Sequence, residues 1–311
     1  MKIDLITGFL GSGKTTFLLQ YGRYLMDKGL RIGILEYDYG AINSDMALLS
    51  ELRGDRCELE MVAAACDADC LNRRFRTKLI SMAMSGYDRV VVEPSGVFDM
   101  DMFFDALRED PLERWYEIGN IITIVDADLQ EDMTKEEEFI LASQAACAGR
   151  ILLSRTQLVS PEKVETTKAH IAAAAEAIHC RGFRPKYVEK NWADLTTEDF
   201  DALFTCGYQL ADYTKVIAGL DSDFSSVSFI DVQDDLSTLA PKIEKLFSDS
   251  TYGEIVRIKG FIEDAGTMYQ VNATRHKTLQ EPLDFHQKVL IVIGKHLDRQ
   301  AIQALIDTKG Y

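Results

Sequence analysis

The sequence predicts an α/β protein: a mainly parallel sheet covered by helices on both faces, then a smaller α+β domain. Three observations carry this. Short apolar runs alternate with helical periodicity from residue 2 to about residue 205. The first run passes into its helix through Gly8-Phe9-Leu10-Gly11-Ser12-Gly13-Lys14-Thr15. From Ser225 the pattern changes to strands that pair with close neighbours, with helices between them.

The opening unit is strand, glycine-rich turn, helix. Lys2 to Thr7 is one strand's worth of chain, and Phe17, Leu18, Tyr21, Tyr24 and Leu25 recur at helical spacing. The junction reads G-x-x-x-x-G-K-[ST]. Gly8, Gly11 and Gly13 let the backbone of the loop, Ser12 included, wrap a phosphate, and the new helix offers its free N–H groups. Lys14 is placed to reach β/γ-phosphates and Thr15 to bind Mg²⁺. This is the arrangement of a P-loop NTPase domain.

Composition narrows the partners. The 311 residues suffice for two domains, and 50 acidic against 34 basic residues give a formal charge of −16. No Lys/Arg-rich stripe breaks that balance, which argues against nucleic acid and an anionic membrane surface as partners. No run of ~18 apolar residues exists. The first apolar run leads straight into the phosphate loop and reads as a strand, not a signal peptide, so a cytoplasmic protein is expected. Its six cysteines (57, 66, 70, 147, 180 and 206) are then expected as reduced thiols, the clustered ones as metal-ligand candidates.

Residues 31–36 read as a second buried strand ending at Tyr37-Asp38-Tyr39-Gly40, with Asp45 heading an apolar-periodic stretch. Asp38 and Asp45 therefore fall at the ligand edge of the sheet, where each serves either Mg²⁺ or a second metal, or a solvated loop and a helix cap. Cys57 precedes Cys66-Asp67-Ala68-Asp69-Cys70. Thiolates and carboxylates so close together suit Zn²⁺ or another transition metal, although C-x₃-C is also one helical turn of small packing residues. Arg73, Arg74 and Arg76 face either phosphates or solvent. Val90-Val91-Val92 is a β-branched run ending in Glu93-Pro94-Ser95-Gly96. That puts Glu93 at a strand tip beside the phosphate loop, as an acid for Mg²⁺, with the Gly96 N–H toward a γ-phosphate.

Ile121 to Val125 and Ile151 to Leu153 read as further strands, 134–147 and Pro161 to Ile178 as helices, and Lys186 to Glu189 as a short strand. Ser154-Arg155-Thr156-Gln157 follows the strand at 151 and takes the position of a base-binding turn. Gln157 carries an NH₂ donor where a guanine-reading aspartate would supply two acceptors, so base choice is expected to be relaxed, with GTP or ATP as ligand. Domain boundaries are expected at 1–205 and 225–311, with 206–224 as linker. In the second domain Ser225 to Asp231, Gly253 to Glu263, Met268 to Thr274 and Val289 to Ile293 read as strands, Leu236 to Phe247 as a helix, and Asp298 as the cap of a last helix.

The assembled signals resemble the CobW-type branch of the P-loop GTPases, whose relatives include metallochaperones. Gly8 to Thr16 is similar to that family's phosphate loop, which adds Thr16 to the nucleotide contacts, and Glu93-Pro94-Ser95-Gly96 to its second motif. Arg257-Ile258-Lys259-Gly260-Phe261 and Ile291 to Asp298 resemble its C-terminal domain. Three segments depart from the pattern. Tyr37-Asp38-Tyr39-Gly40 stands for Asn-Glu-Phe-Gly, and Cys66-Asp67-Ala68-Asp69-Cys70 for Cys-x-Cys-Cys. Ser154-Arg155-Thr156-Gln157 stands for Asn-Lys-x-Asp. The resemblance implies a triphosphatase in which Lys14, Glu93 and Asp38 serve catalysis. Thr15, Asp45, Cys66, Asp69 and Cys70 would hold metals, and Ser154, Arg155 and Gln157 would meet the base. Its partner would be a metalloprotein client. A phosphotransferase using ATP, or a nucleotide-regulated binding module without hydrolysis, would share the same loop.

Overall fold

A computed structural model describes residues 1–38, 45–63, 68–98, 100–214, 224–275, 278–282 and 288–308. The chain divides into two compact units, one holding the strands up to residue 188 and the other those from residue 224.

The first unit is a seven-stranded sheet. Its strands are β1 (Lys2–Thr7), β2 (Ile32–Asp38), β3 (Cys57–Ala63), β4 (Arg89–Pro94), β5 (Glu117–Asp126), β6 (Arg150–Ser154) and β7 (Tyr187–Val188), in the order β3-β2-β4-β1-β5-β6-β7. β1 pairs in parallel with β4 and β5, β2 with β4, β5 with β6, and β6 with β7. Parallel strands are buried on both faces and read as near-continuous apolar runs. Every residue of β4 is buried, and so are the last five of β1. Helix α1 (Lys14–Asp27) lays Phe17, Leu18, Tyr21, Tyr24 and Leu25 on the sheet. The parallel α/β class read from the sequence is the observed one, as is the α+β class of the second unit.

Two stretches differ from the sequence reading. Cys57–Ala63 is a strand that the sequence reading left unassigned, with Cys57, Leu59 and Val62 buried and Glu58 exposed. Its two glutamates mask the pattern because both are paired on its outer side, Glu58 with Arg31 and Tyr87, Glu60 with Lys78. The segment read as linker is described to Thr214, and that far it is laced to the first unit. Gly207 donates to Asn120 Oδ1 at 2.9 Å, Gln209 to the Cys147 carbonyl at 3.0 Å and Thr214 to that of Ile178 at 2.9 Å.

The second unit is a five-stranded antiparallel sheet in the order β11-β10-β9-β12-β8, built from β8 (Phe224–Ile230), β9 (Glu254–Asp264), β10 (Thr267–Thr274), β11 (Thr278–Pro282) and β12 (Val289–Lys295). Helices Leu236–Ser248 and Arg299–Leu305 bury Leu239, Ile243, Leu246 and Ile302 with Ile258, Ile262, Val271 and Val292 of the sheet. Asp298 caps the last helix, accepting from Gln300 and Ala301 at 3.0 Å. No described helix is long and apolar enough to cross a membrane.

One polar cluster lies inside the first unit. Asp4, fully buried in β1, accepts from Arg89 (2.6 Å), Tyr21 (2.9 Å) and the Asn120 backbone N–H (2.8 Å). Burial pushes its carboxyl up, against the pull of the Arg89 guanidinium. Removing one member of such a set leaves a buried charge uncompensated. Asp4→Ala is therefore expected to cost about 3–5 kcal/mol, read as a lower urea midpoint at unchanged slope. An Asp4→Leu/Arg89→Met double variant should recover much of that loss.

Candidate nucleotide and metal site

β1 sits mid-sheet, so the loop leaving its carboxyl end emerges between the ends of β4 and β5, at the edge where open α/β sheets bind ligands. Gly13 caps α1 in a left-handed conformation with no side-chain bond, and the first turn holds no acid. Three other helices of this unit are closed at that end. Thr134 caps the helix Lys135–Cys147, Ser160 the helix Pro161–Ala177 and Thr196 the helix Thr197–Phe204, each accepting from a first-turn N–H. α1 thus presents first-turn N–H donors with no capping side chain over them. Lys14, 7% exposed, curls back so that its ammonium donates to the Gly8 carbonyl at 3.0 Å. Ser12 and Gly96 are buried, and Thr16 is exposed on the first turn of α1.

Beneath the loop, the Thr15 hydroxyl donates to Glu93 Oε1 at 2.8 Å. Glu93 is 3% exposed at the tip of β4, next to Glu36 in the parallel register, itself 2% exposed. A hydroxyl and a carboxylate are the hard oxygen donors that Mg²⁺ takes, and the pair is already within hydrogen-bond distance of each other at the helix start. The donor set therefore fits Mg²⁺. The loop after β4 crosses the phosphate loop so closely that a Cβ on Gly96 would lie 2.5 Å from the Leu10 nitrogen. Only glycine leaves room for that crossing.

Arg155, left-handed at φ 57°, binds the Asp126 carboxylate and donates to the Gly11 carbonyl at 3.0 Å, tying the turn after β6 to the phosphate loop. Ser154 is buried and donates to the Val125 carbonyl at 3.4 Å, while Gln157 is exposed. The structure thus brings together Gly8, Gly11, Ser12, Gly13, Lys14, Thr15, Glu93, Gly96 and Arg155. Asp38 ends β2 and Asp45 opens the short helix α2 (Asp45–Leu49), but their side chains lie outside the described residues, as do Cys66 and the side chain of Asp69. Cys70 is half-buried in the first turn of α3 (Ala68–Met84). Among the described residues no three His, Cys, Asp or Glu side chains cluster to hold a metal. Arg76 is paired with Glu109. Two residues at this edge escaped the sequence reading. Glu36 was legible only as the last residue of an apolar run, and Trp192 as a lone aromatic in a polar loop.

A nucleotide loop between two parallel strands, with an acid at the neighbouring strand tip, defines the nucleotide-binding unit of a P-loop protein. Residues 2–179 match the CobW/HypB/UreG nucleotide-binding domain and residues 227–308 the cobalamin synthesis protein cobW C-terminal domain, so the chain belongs to the CobW family. It is 28% identical to the zinc chaperone YjiA of Escherichia coli K12 over 282 residues, 84% of this chain and 81% of YjiA. It is 26% identical to the zinc chaperone YeiR of the same organism over 162 residues, 52% of this chain and 48% of YeiR. It is 24% identical to the zinc-regulated GTPase metalloprotein activator 1 of Schizosaccharomyces pombe over 179 residues, 55% of this chain and 43% of that protein. The chain spans about half the length of these last two relatives. The crystal structure of Zn(II)-bound YjiA superposes with a TM-score of 0.44 at 19% identity, over 98% of this chain and 97% of that one.

Thiol chemistry separates the cysteines. Burial, with the Glu58 carboxylate beside it, pushes the Cys57 thiol up to about 11. Burial, with Asp4 nearby, pushes Cys206 up to about 12. A raised thiol stays protonated below its pKa and is neither nucleophile nor ligand. At about pH 8, iodoacetamide should leave Cys57 and Cys206 unmodified in the folded protein and label both in urea, as read by peptide mass spectrometry. Labelling of either in the native state would contradict their packing role.

Proposed function

We propose that this chain is a nucleoside triphosphatase, GTPase-like with relaxed base choice, that couples nucleotide binding and hydrolysis to metal handling or metalloprotein assembly. The observation that carries the reading is the Thr15–Glu93 pair beneath an uncapped glycine-rich loop. In this reading Lys14 leaves the Gly8 carbonyl for the β/γ-phosphate oxygens, and the loop N–H groups together with Thr16 hold the rest of the phosphate chain. Thr15 and Glu93, with Asp38, hold Mg²⁺. When bound, the ion neutralises charge on the phosphate oxygens. The Gly96 N–H meets the γ-phosphate, so the loop after β4 registers its presence or loss. Water attacks in line. Binding of a metalloprotein client would trigger an otherwise slow turnover.

The metal-handling half is supported by the family and by the zinc chaperones among its relatives. Zn²⁺ or another transition metal would be held by Cys66, Asp69 and Cys70, with Asp45. The segment carrying the first three lies in sequence between β2 and β4, the two strands whose tips bear Asp38 and Glu93.

Two measurements test the nucleotide half. Lys14→Ala should abolish binding of a non-hydrolysable triphosphate in calorimetry while thermal unfolding changes little; unchanged affinity would remove the proposal. In competition, GTP should exceed ATP by no more than about tenfold, or about 1.4 kcal/mol. Gln157 cannot supply two acceptors to a guanine edge, and an edge left unpaired costs binding energy. A preference of several hundredfold would place base selection elsewhere.

A further inference from the structure

We propose that Trp192 forms the wall of the base subsite, holding the nucleotide base by stacking on its indole rather than by reading its edge. The inference rests on the nucleotide reading above and adds to it a residue and a mode of recognition.

Trp192 opens a single 3₁₀ turn, Trp192–Asp194, four residues past the end of β7. β7 pairs in parallel with β6, Tyr187 beside Ile151 and Val188 beside Leu152. The chain therefore leaves β7 at the same sheet edge as the turn at Ser154-Arg155 and the loop after β1. The indole reaches back across that edge. A Cβ on Gly13 would lie 3.1 Å from its Cη2 and 3.4 Å from Cζ3, and only 3.9 Å from the Ser154 Cβ. Gly13 is left-handed at φ 102°, so a side chain there would be strained as well as crowded. The ring also packs on Phe17, centroids 5.6 Å apart and planes at 63°. The indole is thus wedged against the first turn of α1, while part of the side chain stays solvent-accessible.

The polar groups of this edge are committed elsewhere. Arg155 is held by Asp126 and the Gly11 carbonyl. Ser154 is turned to the Val125 carbonyl, and the Ala193 N–H is taken by Asn191 Oδ1 at 3.3 Å. The Gln157 side chain is exposed and offers one acceptor where a guanine edge needs two. What the edge does offer is the aromatic surface of a partly exposed tryptophan. Every base has a π-face, so stacking binds nucleotides with little regard to the base.

The chain has two tryptophans, so Trp115→Phe leaves Trp192 as the sole indole emitter. In that background, GDP and ADP should both quench the emission. Tripolyphosphate, which engages the loop without a base, should bind and leave the emission unchanged. Trp192→Ala should weaken GDP about 5- to 150-fold and leave tripolyphosphate affinity as it was, and Trp192→Phe should retain most of the GDP affinity. If Trp192→Ala does not fold, the quenching series on the intact indole still decides. Equal loss of GDP and tripolyphosphate in Trp192→Ala would make the residue a prop for the loop and overturn the proposal. So would unchanged GDP affinity with silent emission. Absence of Lys14-dependent binding of any nucleotide would instead overturn the nucleotide reading, and this one with it.

Discussion

The site depends on where β1 lies. It is the central strand of the first sheet, flanked in parallel by β4 and β5. The chain leaving it must turn at once into α1 between two other strand tips, and the Thr15–Glu93 hydrogen bond fastens the start of that helix to the tip of β4. A hydroxyl on the first turn and a carboxylate on a neighbouring strand hold 2.8 Å between them because each rides on a rigid element. That is the precision a divalent cation with near-octahedral demands requires.

Further back along β1, Asp4 gathers Arg89 from β4, Tyr21 from α1 and Asn120 from β5. Asn120 also accepts from Gly207 and donates to the Phe204 carbonyl, which brings in the end of the helix Thr197–Phe204 and the segment after it. A buried network of this kind contributes little net stability over an apolar replacement but penalises its own disruption. Here it fixes the relative placement of the strand, the helix and the two flanking strands that together aim the loop.

Much of this was legible in the sequence because a phosphate loop is a local device: its glycines, lysine and threonine are contiguous. The buried strands were legible because burial on both faces leaves unbroken apolar runs such as Val90-Val91-Val92. What failed depends on partners remote in sequence. β3 was missed because its glutamates take Arg31, Tyr87 and Lys78 as partners. β11 was missed because an edge strand that is almost wholly exposed needs no apolar pattern. Glu36 gains meaning only from its register beside Glu93, and Trp192 only from β7 pairing with β6. A strand register or an edge pairing is a tertiary fact, and neither is written in a local spacing.

The central claim is that a phosphate signal and a metal signal share one sheet edge. The ends of β2 and β4 carry the acids proposed for Mg²⁺, and the thiols proposed for Zn²⁺ fall between those strands in sequence. A ligand that binds two states differently shifts their balance, and the effect is reciprocal. The direct measurement is a Zn²⁺ titration against a competing chelator, on the diphosphate-bound protein and then on the protein bound to a non-hydrolysable triphosphate. A Cys66→Ser/Cys70→Ser variant serves as reference. Zn²⁺ affinities are expected to differ about 5- to 150-fold between the two nucleotide states, a difference lost in the variant. Equal Zn²⁺ affinity in both nucleotide states would contradict it.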